Sequence, residues 1–284
     1  MKKFIALFIV FSGLIVNTFA QTALDGAYVP EHNPTRRVVP YPYLRQADVM
    51  WKKRIWQRID LKQKMNYSLY YPTTPIKNRR CLYDLIMDGI RDGQITPYNT
   101  KNPLNSLQDD DEFMTPLSPE DALKSASNAE TKPIFDENGE QIATEDVSFP
   151  ITAEMVKFYE IKEDWIFDKQ RSERYVRIIG IAPIVEKKFA GGASVIDVPV
   201  FWLYFPECRY LFANADVFNL HNTSQPITFD DLFQKRMFSS YVVKEENVYD
   251  RRIENYYKDP MKAILESERI KEDLFIFEHD LWHY

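Results

Sequence analysis

Residues that could bind a metal ion are few and poorly spaced. Of the four histidines, His279 and His283 lie four residues apart and would share one side of a helix. A closed metal site needs three or four ligands. The acidic run 109–112 lacks the alternating ligand spacing of a calcium loop, which favours solvated charge. We therefore expect no metal and no cofactor.

Hydrolytic chemistry also lacks a matching motif. No G-x-S-x-G sequence is present, and Ser194 has glycines on one side only. Two carboxylate pairs, Glu163-Asp164 and Asp230-Asp231, are adjacent in sequence, but surface charge is the commoner explanation of such pairs. We expect no catalytic residue. The alternative, an exported hydrolase with an unrecognised active site, stays open because an exported chain of this size can hold a cleft.

The first twenty residues predict a signal peptide. Lys2 and Lys3 precede an apolar run, and Thr18 and Ala20 are small residues at the positions that a signal peptidase reads. The run is shorter than the ~20 apolar residues of a membrane span, and no cysteine follows it for a lipid anchor. We expect export to the periplasm without direct membrane insertion.

The net charge of −6 argues against nucleic-acid binding, which favours a basic surface.

A proline-rich segment and a predicted helix supply the candidate binding surface. Residues 21–43 contain four prolines and little apolar periodicity, which predicts an extended arm lying on its own domain or on a neighbour. Apolar spacings of three and four predict a helix from Leu44 to about Asp60, with its main stripe at Leu44, Ala47, Trp51, Ile55 and Ile59. Trp56 falls on a second face edged by cations. Tryptophan and arginine are enriched at protein interfaces, although an ordinary core helix is the alternative interpretation. The candidate partner-binding residues are Tyr41, Tyr43, Trp51, Lys53, Arg54, Trp56 and Arg58.

Residues 44–284 predict a single α+β domain, an antiparallel sheet with packed helices. We expect strands at 156–168, 174–187 and 198–205, the last of them central, and an extended segment at 66–71. Helices are expected at 79–91, with Asn78 as its cap, at 206–218, at 229–238, with Thr228 as its cap, and at 260–277, with Pro260 in its first turn. The apolar stripe of the last helix is Ile264, Leu265, Ile270 and Leu274. An acidic surface insertion at about 99–148 contains one hairpin signal, Asn138-Gly139. Cys81 and Cys208 could pair after export, but two buried free thiols are favoured.

Several stretches of the chain resemble the GldN/PorN gliding-motility family of the type IX secretion system. They occur in a consistent order over nearly the whole mature chain, at Ala47–Asn66, Tyr70–Pro72, Arg79–Tyr98, Val176–Pro183 and Val198–Phe212. The resemblance implies a structural subunit of a periplasmic ring. Its implied partners are an outer-membrane lipoprotein of the GldK/PorK type, the periplasmic domain of a GldM/PorM-type motor-linked protein, and neighbouring copies of itself. In such a ring we expect the arm to lie on a neighbour. We also expect Trp56→Ala to weaken assembly while leaving the thermal melt nearly unchanged.

Overall fold

A computed structural model describes residues 36–76, 79–101, 112–135, 141–188, 195–219, 222 and 224–281. The strands are β1 (Val49–Asp60), β2 (Pro97–Tyr98), β3 (Ser127–Phe135), β4 (Gln141–Pro150), β5 (Val156–Asp168), β6 (Glu173–Lys188), β7 (Val195–Pro199), β8 (Trp202–Tyr204), β9 (Asp216–Val217), β10 (Ile227–Thr228) and β11 (Tyr241–Glu245). The α-helices are α1 (Tyr67–Tyr70), α2 (Leu82–Arg91), α3 (Pro119–Ser125), α4 (Phe205–Ala213), α5 (Phe229–Gln234), α6 (Ile253–Tyr256) and α7 (Pro260–Asp280).

The organising element within the described residues is a seven-stranded sheet. Its strand order is β11-β1-β5-β6-β8-β2, with β7 also paired to β6. Every neighbouring pair in this sheet is antiparallel. Separate two-stranded ribbons join β9 to β10 and β3 to β4. The predicted α+β class, an antiparallel sheet with packed helices, is confirmed.

The predicted helix from Leu44 to Asp60 is wrong, because Val49–Asp60 is strand β1, which lies between β11 and β5 in the sheet. Trp51, Ile55 and Ile59 are four residues apart, and that spacing puts side chains on one face in a helix and in a strand alike. Only Leu44 and Ala47 favoured the helical period, and both precede the strand. Pairing with β5, from Val49 opposite Asp168 to Asp60 opposite Phe158, decides the conformation.

One sheet face carries the main hydrophobic core. Ile59 and Ile161 point toward it and pack with residues of α2, α4 and α5. A second apolar cluster joins Ile55 and Val242 to residues of α6 and α7. On the opposite face Trp56, Ala182 and Trp202 form a smaller cluster. The two faces therefore differ, with most of the helix packing on the side of the odd-numbered residues of β1.

Local capping signals place several helices correctly. Thr228 closes a reciprocal capping box with Asp231 at the start of α5, as its position predicted. Asp259 caps α7, where Pro260 occupies the first turn. Helix α2 begins at Leu82 with Cys81 as its cap, and the predicted cap Asn78 lies outside the described residues. Helix α4 ends at Ala213, five residues before the predicted end.

Other expectations for secondary structure need correction. Residues 67–70 form the short helix α1 where an extended segment was predicted, because burial of Leu69 outweighs the strand preference of the tyrosines. Strand β8 is buried at Trp202 and Leu203 but lies next to the edge strand β2, so the predicted central position is wrong. In the insertion, β3 and β4 form a hairpin around the Asn138-Gly139 signal, which itself lies outside the described residues.

Both cysteines are free and buried, which confirms the favoured expectation. Cys81 and Cys208 both belong to the main hydrophobic core. Burial raises the pKa of the Cys81 thiol to about 12 and that of Cys208 still further. The two thiols are therefore protonated at neutral pH, and they act as small apolar side chains.

Candidate functional site

The residues predicted to bind partners divide between the two faces of β1. Residues Trp51 and Lys53 project to the same side as Ile55, whereas Arg54, Trp56 and Arg58 project to the other, because side chains alternate along a strand. The sequence interpretation had also separated Trp51 from Trp56, but on two faces of a helix. The face of Arg54, Trp56 and Arg58, together with the residues opposite them on β5 and β11, is called the charged sheet face below.

Trp56 is the centre of the charged sheet face and is buried, with an exposed fraction of 6%. Its ring lies 4.5 Å from the ammonium nitrogen of Lys244 and 5.5 Å from that of Lys162. Both lysines are almost fully buried, and Lys244 also forms an ion pair with Asp250 at 2.5 Å. Desolvated cations gain most from an aromatic ring. Trp56 therefore acts first as a structural residue, so the expectation that Trp56→Ala leaves stability unchanged is revised.

The two arginines of the charged sheet face are paired to carboxylates of β5. Arg54 binds Asp164 through two hydrogen bonds, of 2.6 and 3.1 Å. Arg58 donates to Glu160 at 3.4 Å, and Arg252 binds the same carboxylate at 2.7 and 3.0 Å. Burial alone would raise the pKa of Glu160, but Arg252 and Arg58 outweigh it and hold that pKa below its usual value. These ion pairs fix the arginines in place and leave the side chain of Arg54 partly accessible.

On the other face of β1 the predicted residues meet the C-terminal helix. The ring of Trp51 lies 4.6 Å from that of Phe277 in α7, and Trp51 packs partly buried against the cluster around Ile55. Lys53 pairs with Glu245 of β11 at 2.6 Å. Trp51 therefore joins α7 to the sheet, which is a packing role.

The described part of the arm lies on its own domain. The Tyr41 ring lies 4.5 Å from the Arg209 guanidinium, and its hydroxyl accepts a hydrogen bond from Gln234 at 3.0 Å. Burial raises the pKa of Tyr41. Arg36 binds Asn214 and Asp216, whereas Tyr43 is 84% exposed. For residues 36–42 the expectation of a neighbour's surface is therefore wrong, and residues 21–35 lie outside the described part of the chain.

Helix α7 exposes part of its predicted apolar stripe. That stripe consists of Ile264, Leu265, Ile270 and Leu274. The structure buries Ser267, Ile270 and Leu274 but leaves Ile264 and Leu265 exposed. Phe275 and Ile276 are also exposed. The sequence signal for this exposed surface is a second apolar stripe on the helix, because a helix that packs only against its own core needs a single stripe.

A small apolar pocket lies beside α1. It has a volume of about 300 Å³ and is lined by Tyr67, Ser68, Tyr71, Pro72, Ile76, Arg79 and Phe218. The guanidinium of Arg79 lies 4.9 Å from the Phe218 ring. No carboxylate or histidine is among these lining residues. The pocket suits an apolar or aromatic group, and it brings together no acid and base.

The candidate catalytic groups have structural partners. Glu163 and Asp164 project from opposite faces of β5; Glu163 binds Arg236 at 2.7 Å, while Asp164 binds Arg54. Asp230 binds the Arg209 guanidinium and Asp231 caps α5. His283 and Ser194 lie outside the described residues. Within the described ranges, no group of three potential ligands is placed to hold a metal ion.

Comparison with known proteins identifies a family. The sequence model for "Gliding motility associated protein GldN" matches residues 44–283, which include the whole of the seven-stranded sheet. Among curated proteins, none is similar enough to match this chain. In the described part of the chain, no helix has the length and apolarity needed to cross a bilayer. Because the family match runs from just before β1 to beyond the end of α7, the chain belongs to the GldN family of gliding motility associated proteins.

Proposed function

We propose that this protein is a non-enzymatic structural subunit of the periplasmic core, or ring, complex of the type IX secretion and gliding machinery. The observation that carries the proposal is the GldN family match over residues 44–283. The signal peptide predicted at residues 1–20 supports a periplasmic location. In this proposal the chain reaches the inner face of the outer membrane through a GldK/PorK-type lipoprotein, and it also binds a GldM/PorM-type periplasmic domain and neighbouring copies.

The accessible members of the predicted binding set are the proposed contacts. Tyr43 is exposed, and the side chains of Lys53 and Arg54 are about one-third and one-quarter exposed. Amphipathic and charged side chains of this kind suit the rim of an interface. Tyr41, Trp51, Trp56 and Arg58 would serve the same interface indirectly, because they hold the arm and β1 in position.

The test is reconstitution from purified parts. The mature chain is mixed with the lipid-free form of a GldK/PorK-type lipoprotein, and separately with a GldM/PorM-type periplasmic domain, and binding is measured by interferometry. We expect binding to both, weakened in at least one case by Tyr43→Ala, with an unchanged thermal midpoint, and by Lys53→Gln, which removes the charge without placing a carboxylate beside Glu245. Lys258→Gln is a matched surface control, since it makes the same change of charge at an exposed residue outside the arm and β1. A chain that binds neither protein would contradict the proposal.

A further inference from the structure

The outer face of α7 carries a regular seam. Positions 261, 265, 268, 272, 275 and 279 follow one another at spacings of four and three, the period of a coiled-coil contact line. The seam residues are Met261, Leu265, Glu268, Glu272, Phe275 and His279, and all six are exposed. Leu265 and Phe275 are 63% and 65% exposed. Below, these six residues are called the α7 seam.

The α7 seam cannot turn inward, because the opposite face of the helix is fixed to the sheet. The backbone N–H of Val242 on β11 donates to the Ser267 hydroxyl at 2.8 Å, and both groups are buried. Arg174 of β6 pairs with Glu278 at 2.6 Å, and Ile270 and Leu274 pack against the cluster around Ile55. The helix therefore presents a rigid, preformed contact line, which lowers the entropic cost of binding.

The two carboxylates of the seam lie at its centre, between Leu265 and Phe275. Glu268 is bound by Lys271 at 3.0 Å, and Glu272 is exposed. Polar residues at contact positions of a two-helix interface select the partner and its register. We propose that the α7 seam binds a helix of another protein that places Lys or Arg opposite Glu268 and Glu272, and apolar side chains opposite Leu265 and Phe275.

A second copy of α7 fits the seam poorly. In an antiparallel pair that sets Leu265 opposite Phe275 of the other copy, Glu268 falls opposite Glu272, so four carboxylates meet at the centre. In a parallel pair Glu268 meets Glu268 and Glu272 meets Glu272. Like charges at facing positions are destabilising. The charge pattern therefore favours a basic amphipathic helix over self-association. From Met261 to His279 the seam extends for about 27 Å at the 1.5 Å rise of a helix, enough for a partner helix of five turns.

Two synthetic helical peptides test this inference on the full mature chain. Both have leucine at the outer contact positions; one has lysine at the two central positions and the other has glutamate. We expect the lysine peptide to bind at least about tenfold more tightly by fluorescence anisotropy, since two facing charge pairs change from opposite to like sign. The double variant Glu268→Lys with Glu272→Lys should reverse the preference. Asp92→Lys with Glu154→Lys makes the same change of net charge at exposed sites outside α7 and should leave the preference unchanged.

The double variant Leu265→Ser with Phe275→Ser tests the apolar contacts. It should abolish binding of the lysine peptide while the thermal midpoint of the protein stays unchanged. Equal binding of both peptides, or binding of neither, would overturn the inference. Self-association of the chain that the same double variant abolishes in analytical ultracentrifugation would overturn it as well. Binding to the lipoprotein is measured separately, so the inference and the proposed ring function can fail independently.

Discussion

Replacing Trp56 with alanine tests whether β1 is a buried strand or an exposed interface element. The side chain is 6% exposed and packs with Ala182, Trp202 and Val243. Removing a large buried aromatic side chain costs about 3–5 kcal/mol, because transfer and cavity contributions add. The buried Lys244 ammonium lies 4.5 Å from the Trp56 ring, so that cation loses this aromatic contact as well. We expect a loss at the upper end of this range.

The loss is measured by urea unfolding and by the thermal midpoint. For a domain of this size, 1 kcal/mol corresponds to roughly 2–4 °C, so a loss of about 5 kcal/mol should lower Tm by roughly 10–20 °C. Trp56→Phe should recover part of the loss because it keeps a ring between Lys162 and Lys244. Tyr43→Ala is the control on an 84% exposed aromatic residue and should change Tm by less than about 2 °C. A Trp56→Ala protein that melts like the wild type would refute the placement of this side chain in the sheet.

Two further predictions concern buried groups. The pKa of Glu160 is lowered in the folded state, so its stabilising contribution is complete above the unfolded value near 4.5 and is lost as pH falls through the folded value. Glu160→Gln should therefore cost about 3–5 kcal/mol at neutral pH, and its difference from wild type in urea unfolding should shrink below pH 4.5; a constant difference would contradict the assignment. For Cys81 and Cys208, a thiol reagent should modify neither side chain in the native protein and both after unfolding in guanidinium, because both are buried and protonated. Rapid native modification, or a mass consistent with a disulfide, would contradict this.

The sequence was sufficient where local chemistry decides the structure. The Thr228 capping box, the Pro260 start of α7 and the long strands around the 169–172 turn follow from nearby residues. The predicted helix at β1 is wrong because an apolar spacing of four belongs to both periods, and the pairing partners on β5 lie 98 to 119 positions away. Local patterns contain no information about such a distant partner.

In the candidate site, too, residue types could be predicted from the local sequence, but contacts with distant strands could not. Aromatic and cationic residues on β1 were recognised, but their burial was not, because the acids and lysines that enclose them lie on β5 and β11. Arg58 and Trp56 then stabilise the fold. The exposed stripe of α7 was missed for a related reason. Either of two apolar stripes on α7 could pack against the sheet. The burial of Ser267, Ile270 and Leu274 and the hydrogen bond from Val242 to Ser267 determine which stripe faces inward.

The most direct test of the central claim is the mass of the complex that the chain forms with a GldK/PorK-type lipoprotein. The two mature proteins are co-expressed, extracted in mild detergent and analysed by light scattering coupled to size-exclusion chromatography. We predict that they elute together as an assembly many times heavier than the mature chain, whose mass is below the 33.6 kDa of the full sequence. Elution of the chain alone at its monomer mass, with the lipoprotein present and folded, would contradict the account.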